Sequence, residues 1–137
     1  MGLLQLLRNL LRPRAAAPAA GAVIALAVAF VSPWEGERTE AYLDRIASPP
    51  VWTVCYGETR GVQPGDRYTP AECAAMLGEA LAEYRAGLIA CVPTLPAQPD
   101  GVQAALTSWA YNVGVSAACG STLARLACLR VVVPLKI

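Results

Sequence analysis

Eighteen consecutive residues without a charge, AAAPAAGAVIALAVAFVS at positions 15–32, constrain this chain more than any other feature. Residues 1–14 before them, MGLLQLLRNLLRPR, carry Arg8, Arg12 and Arg14 and no acid. After them Glu35, Glu37, Glu40 and Asp44 outnumber Arg38. Basic before and acidic after an apolar run is the pattern of a segment inserted with its N-terminus in the cytoplasm. The length is close to the minimum for spanning, for which about 20 residues are typical. Nine of the eighteen are alanine, with Pro18 and Gly21 added, so the expected hold on a bilayer is weak. Three readings stay open: a cleaved signal peptide, with Ala27-Val28-Ala29 as a small-x-small site, a permanent anchor, or a weak anchor that leaves the membrane. The charge asymmetry disfavours a buried Ala-rich helix of a soluble protein. The chain therefore divides into a basic region and signal-anchor segment over 1–32 and a domain over 33–137.

At 137 residues the chain has room for one domain with a modest core. Its net charge of +1 gives no support to nucleic-acid binding. There is no histidine, which removes the commonest general base and the commonest zinc ligand. Acid–base chemistry must then fall to carboxylates. Five cysteines, at 55, 73, 91, 119 and 128, contain no CxxC pair, so neither a metal site nor a thioredoxin-type site is expected. An exported domain would use them as two disulfides and one spare thiol, with connectivity open. In a cytosolic protein each would be a buried thiol.

The acids cluster in WEGERTEAYLD, residues 34–44. Glu35 and Asp44 are nine positions apart. At about 100° per residue, one continuous helix would put them on opposite sides. Gly36 directly after Glu35 reads instead as the C′ residue that ends a helix. Beyond it, ERTEAYLD suits a short exposed strand, and VWTVCYG after the turn at residues 47–50 a second one. Alternation puts Val51, Thr53 and Cys55 on one face of that strand and Trp52, Val54 and Tyr56 on the other. A helix ending in Glu35 and a hairpin carrying Asp44 and Thr53 would place two carboxylates on facing walls. Cleavage of a glycosidic bond requires such a pair, one protonated and one ionised. Glu37 and Glu40 read as solvated.

Farther on, Thr69 to Gly87 reads as a long helix, with Thr69 as N-cap, Pro70 at its first position and Glu72 completing a capping box. Ala75, Met76, Leu81 and Leu88 would form its apolar face. Gln103 to Val113 reads as a core helix in which Trp109 and Tyr111 pack. Asn112 and Ser121 are candidates for the cleft lining.

Taken in order, WEG and the Y-x-D that follows, VWTVCYGET, PGDRYTPAEC and ALTSWAYNVGVSAACGSTL resemble the phage-type lysozymes, the endolysins of glycoside hydrolase family 24, over about residues 33 to 126. The resemblance implies an α+β, lysozyme-like fold, mainly helical with a small β-hairpin lobe and an N-terminal hydrophobic helix. It implies a muramidase that hydrolyses the β-1,4 bond between N-acetylmuramic acid and N-acetylglucosamine, by inversion. Glu35 would be the general acid, Asp44 would activate a water and Thr53 would orient it. No metal or organic cofactor is implied. The partners would be peptidoglycan glycan strands and the cytoplasmic membrane through residues 15–32, with no nucleic acid and a monomeric enzyme. The Ala/Gly-rich segment resembles the signal-anchor-release subgroup, held on the outer face of the bacterial cytoplasmic membrane until the helix leaves the bilayer and joins the folded domain.

Three features depart from that pattern. Asp44 and Thr53 are nine residues apart where the family has a shorter turn with a glycine, and Glu58 stands after Tyr56-Gly57 where the family often has histidine. The family also continues through further helices, whereas ARLACLRVVVPLKI closes with neither helical periodicity nor a cap. The expectation is a C-terminally shortened domain of marginal stability. The alternative function is a catalytically impaired, wall-binding relative.

Overall fold

The computed structural model describes residues 17–129. The basic segment 1–14 and the closing VVVPLKI, with the expectations placed on them, lie outside the described residues. Helix α1 (Ala17–Glu35) is followed by strands β1 (Arg38–Asp44) and β2 (Val51–Cys55), then the long helix α2 (Pro70–Cys91). A 3-10 turn (Leu95–Ala97) leads to α3 (Asp100–Val113), α4 (Val115–Cys119) and α5 (Thr122–Leu129). The fold is α+β, with one antiparallel hairpin set against a mainly helical body.

The apolar run forms a wall of the core. Val23, Ala27 and Val31 recur every fourth residue on one face of α1 and are buried against Leu77 and Leu81 of α2 and Ala104 of α3. Leu26, Phe30 and Trp34 repeat at the same spacing on another face, and all three are exposed. The helix continues unbroken through residues 32 and 33, with Pro33 inside its last turn. Among the described residues, no helix is long and apolar enough to cross a membrane.

Helix α2 begins as the sequence predicts. The Thr69 hydroxyl accepts the Glu72 N–H at 3.2 Å, and the Glu72 carboxylate accepts the Thr69 N–H at 2.7 Å. Its buried residues are Cys73, Leu77, Leu81 and Leu88; Leu81 and Leu88 are buried as expected, but the start of the face is shifted, with Ala75 exposed and Met76 only half-buried. The reason is covalent, since Cys73 is bonded to Cys55 at the end of β2 and must face the hairpin. The helix also runs one turn past Gly87 to Cys91. That glycine does not end it; a Cβ there would come within 2.9 Å of the Val115 methyl groups.

A second core gathers Leu88, Val92, Leu95, Ala110, Ala118 and Ala124. Helix α3 starts at Asp100, ahead of the expected Gln103. Gln103 is buried and knits three segments together. Its Oε1 accepts from Arg85 Nη2 at 2.6 Å, and its Nε2 donates to the Gln98 carbonyl at 2.8 Å. Cys91 and Cys119 form the second disulfide and Cys128 is free, matching the count expected of an exported domain.

Candidate active site

Glu35 is the last residue of α1, and Gly36 takes the chain out of the helix at a φ of +70°. That left-handed conformation carries little penalty only for glycine, which is why the helix can end there and release the chain into β1. In the hairpin, Asp44 pairs with Val51 and Tyr42 with Thr53. Opposed residues of an antiparallel pair, and residues two apart on one strand, point to the same face. Tyr42, Asp44 and Thr53 therefore share a face, with Asp44 and Thr53 diagonal neighbours about 7 Å apart.

This face and the segment after α1 enclose a hollow of about 550 Å³, lined by Glu35, Glu37, Tyr42, Asp44, Thr53 and Thr59 among others. All three residues picked out in the sequence line it. Asp44 is half-buried and accepts the Ile46 N–H at 2.9 Å through Oδ1. Thr53 is only 4% exposed and donates its hydroxyl to the Val51 carbonyl at 3.3 Å. The Arg38 guanidinium lies over the Tyr42 ring, 4.3 Å from its centroid. The long spacing between Asp44 and Thr53 is taken up in residues 45–50, outside the pairing, where Ile46 is 97% exposed. The pairing closes at Asp44–Val51, so the extra turn residues leave Asp44 on the face of Thr53.

Alternation in β2 fails at its end. Cys55 adopts a φ of +57°, and Val54 and Cys55 are both buried. For a residue with a Cβ this conformation costs about 1–2 kcal/mol. The disulfide to Cys73 holds Cys55 against α2 there.

A second hollow, of about 610 Å³, shares Glu35, Gly57 and Thr59 with the first. Glu35 thus stands where the two meet. Glu58, Arg60, Glu83, Tyr84, Tyr111 and Asn112 line the second hollow. Glu58 Oε1 accepts the N–H groups of Thr59 at 2.9 Å and Arg60 at 2.8 Å, and Arg60 Nε at 3.4 Å. Burial pushes the Glu58 carboxyl up, but the donors from Arg60 and Thr59 outweigh it and leave the carboxyl below its usual range. Arg60 Nη1 then reaches both oxygens of Glu83 on α2, at 3.1 and 3.2 Å. Sequence reasoning missed this bridge. An acid and a base two residues apart after a strand are common on surfaces, and only the fold brings Glu83 to them.

Tyr111 also gains a place. It packs on the α1–α2–α3 core, as expected, but its ring also lines the second hollow and its hydroxyl donates to the Tyr56 carbonyl at 3.2 Å. Burial first, and then the Glu35 carboxylate, push its phenol up to about 12. Burial and the nearby Glu37 carboxylate likewise raise the Tyr56 phenol; Glu37 is exposed at the rim of the first hollow, and Glu40 pairs with Arg67 at 3.0 Å on the outside. Asn112 lines the cleft. Ser121 caps α5 instead, accepting the Ala124 N–H at 3.1 Å. Among the described residues, no group of three or more His, Cys, Asp or Glu is placed to hold a metal ion.

The profile of the phage lysozyme family matches residues 32–130. The chain belongs to the phage lysozyme family. The phage lysozyme match takes in the hairpin, both hollows and helices α2 to α5. A SAR-endolysin of Pseudomonas phage phiKMV is 37% identical over 97 residues, which cover 71% of this chain and 58% of that relative. The chain thus spans less than two thirds of that relative's length. The P1 phage endolysin Lyz in its active form superposes with a TM-score of 0.56 at 26% identity, over 76% of this chain and 61% of that one. The muramidase domain of SpmX from Asticaccaulis excentricus has the same fold, with a TM-score of 0.57 at 21% identity over 86% of this chain and 71% of that one.

Proposed function

We propose that this chain is an endolysin, a glycosidase that cleaves the β-1,4 bond between N-acetylmuramic acid and N-acetylglucosamine in peptidoglycan and thereby lyses the cell. One observation carries the reading: Glu35 at a helix end and Asp44 with Thr53 on the hairpin line a single hollow. The endolysin names of its relatives support it. The Glu35 carboxyl donates its proton to the glycosidic oxygen as the bond from the anomeric carbon breaks. Asp44 takes a proton from a water whose oxygen attacks that carbon from the opposite face, and Thr53 orients the water. Water arriving on the far face inverts the anomeric configuration. The chemistry needs no metal or organic cofactor.

Before the domain folds, residues 15–32 hold the chain at the outer face of the cytoplasmic membrane. The uncharged run and the basic residues ahead of it support this step. Once out of the bilayer, the same segment packs as α1 and carries Glu35 to the cleft. The folded enzyme acts as a monomer on the glycan strands. Cell fractionation tests the targeting: the full chain is expected in the membrane and periplasmic fractions, and recovery only from the cytoplasm would refute it.

The catalytic reading is tested by clearing of a peptidoglycan suspension. Glu35→Gln is expected to lower the rate by about two to four orders of magnitude, with Asp44→Asn close behind. A Glu35→Gln chain that clears as fast as the parent would sink the assignment. Binding of a chitooligosaccharide without any hydrolysis by the parent would identify a wall-binding relative instead.

A further inference from the structure

We infer that Tyr111 is a positioning residue, holding the hairpin that bears Asp44 and Thr53 at its working distance from Glu35. The inference rests on the roles proposed above for those three residues. It starts from how the hairpin is attached to the helical body. Two ties leave the end of β2 at successive residues: Cys55 is bonded to Cys73 of α2, and the Tyr56 carbonyl accepts the Tyr111 hydroxyl of α3 at 3.2 Å.

The two ties reach different helices. Glu35 belongs to α1, and α3 lies along α1, with Ala104 packed among Val23, Ala27 and Val31. Apart from the chain entering from α1 at Gly36, the disulfide and the Arg60–Glu83 bridge both fasten the β2 end of the hairpin to α2. The Tyr111 bond ties the same end to α3 instead, and so refers the hairpin to the helix packed beside Glu35. Tyr111 is suited to the task because its half-buried ring is packed on two sides. It meets the Tyr84 ring edge-on, with centroids 5.3 Å apart, and packs on the core shared by α1, α2 and α3. A phenol is a donor at neutral pH, and burial and the nearby Glu35 carboxylate, which push its pKa up to about 12, keep it one well into the alkaline range.

Phenylalanine at this position keeps the ring and removes only the tie. The comparison variant is Thr107→Val, in the same helix. The buried Thr107 hydroxyl donates to the Gln103 carbonyl at 2.8 Å within α3 and makes no hydrogen bond to the hairpin. Both variants are made in the full chain. Amide hydrogen exchange is read along residues 38–58, and kcat and KM are measured on soluble glycan strands. For Tyr111→Phe, exchange in residues 51–58 is expected to quicken about tenfold, the size of one lost hydrogen bond. Its kcat should fall by about the same factor with KM within twofold. Thr107→Val should show no hairpin-specific exchange and the parent's kcat.

Unchanged hairpin exchange in Tyr111→Phe, or an equal rise in Thr107→Val, would overturn the inference. So would a parental kcat in Tyr111→Phe. A parent chain with no hydrolytic activity would refute the proposed function, and the exchange measurement would still decide the tie.

Discussion

Glu58 shows how a single residue can combine fold and cleft. Its carboxylate is mostly enclosed, with 17% of the side chain exposed, and it gathers two backbone N–H groups and the Arg60 guanidinium. The carboxyl lies below its usual range when folded, so folding favours the ionised form. The stability this provides is fully present above the ordinary carboxyl value and is lost as pH falls through the depressed folded value. Glu58→Gln should therefore cost about 1 kcal/mol at neutral pH, and the gap from the parent should close on acidification. Thermal melts of both proteins from neutral pH to below about 4 check the sign. A gap that widens in acid would contradict it. No pattern in the sequence announces this role, because the N–H groups that hold Glu58 converge only in the turn after β2.

Among the elements, the packing of α2 on α4 hangs on Gly87. A Cβ there would sit 2.9 Å from both Val115 methyl carbons. Alanine would gain up to about 1 kcal/mol in helix propensity. Against that, overpacking a site that cannot give costs about 1–3 kcal/mol, and the β-branched Val115 is stiff at χ1. The clash should win, making Gly87→Ala destabilising by about 1 kcal/mol. Adding Val115→Ala should recover most of the loss from the clash, which a double-mutant cycle by urea unfolding measures. The sequence invites the opposite reading of Gly87, as the end of the helix. Its true function depends on a residue 28 positions away, brought near by the Cys91–Cys119 disulfide of that same sequence separation.

At the level of the whole molecule, α1 is a wall of the core as well as the carrier of Glu35. Fully burying a valine is worth about 1.5–3 kcal/mol, so Val23 and Val31 alone carry a large part of a typical domain stability of about 5–15 kcal/mol. A fragment beginning at residue 33 would lose that wall and Glu35's support together. It should show no cooperative thermal transition, whereas the full chain should; calorimetry distinguishes them. A fragment that melts sharply would show that the body folds without α1.

What the sequence by itself determined is local. Gly36 ends a helix at Glu35, the capping box starts α2, and strand-forming residues on either side of a Pro-rich turn make the hairpin. Each depends on backbone preferences that act over a few residues. Only the tertiary structure decided which cysteines pair, which face of α2 is buried, and that Glu58, Arg60, Glu83 and Tyr111 join the cleft. Those outcomes depend on groups far apart in the chain, whose meeting is governed by packing and by the disulfides. The uncharged run lies between the two. Its apolar character is plain in the sequence, yet its place as a core wall beneath Glu35 comes from Leu77, Leu81 and Ala104 offering it an apolar surface to bury.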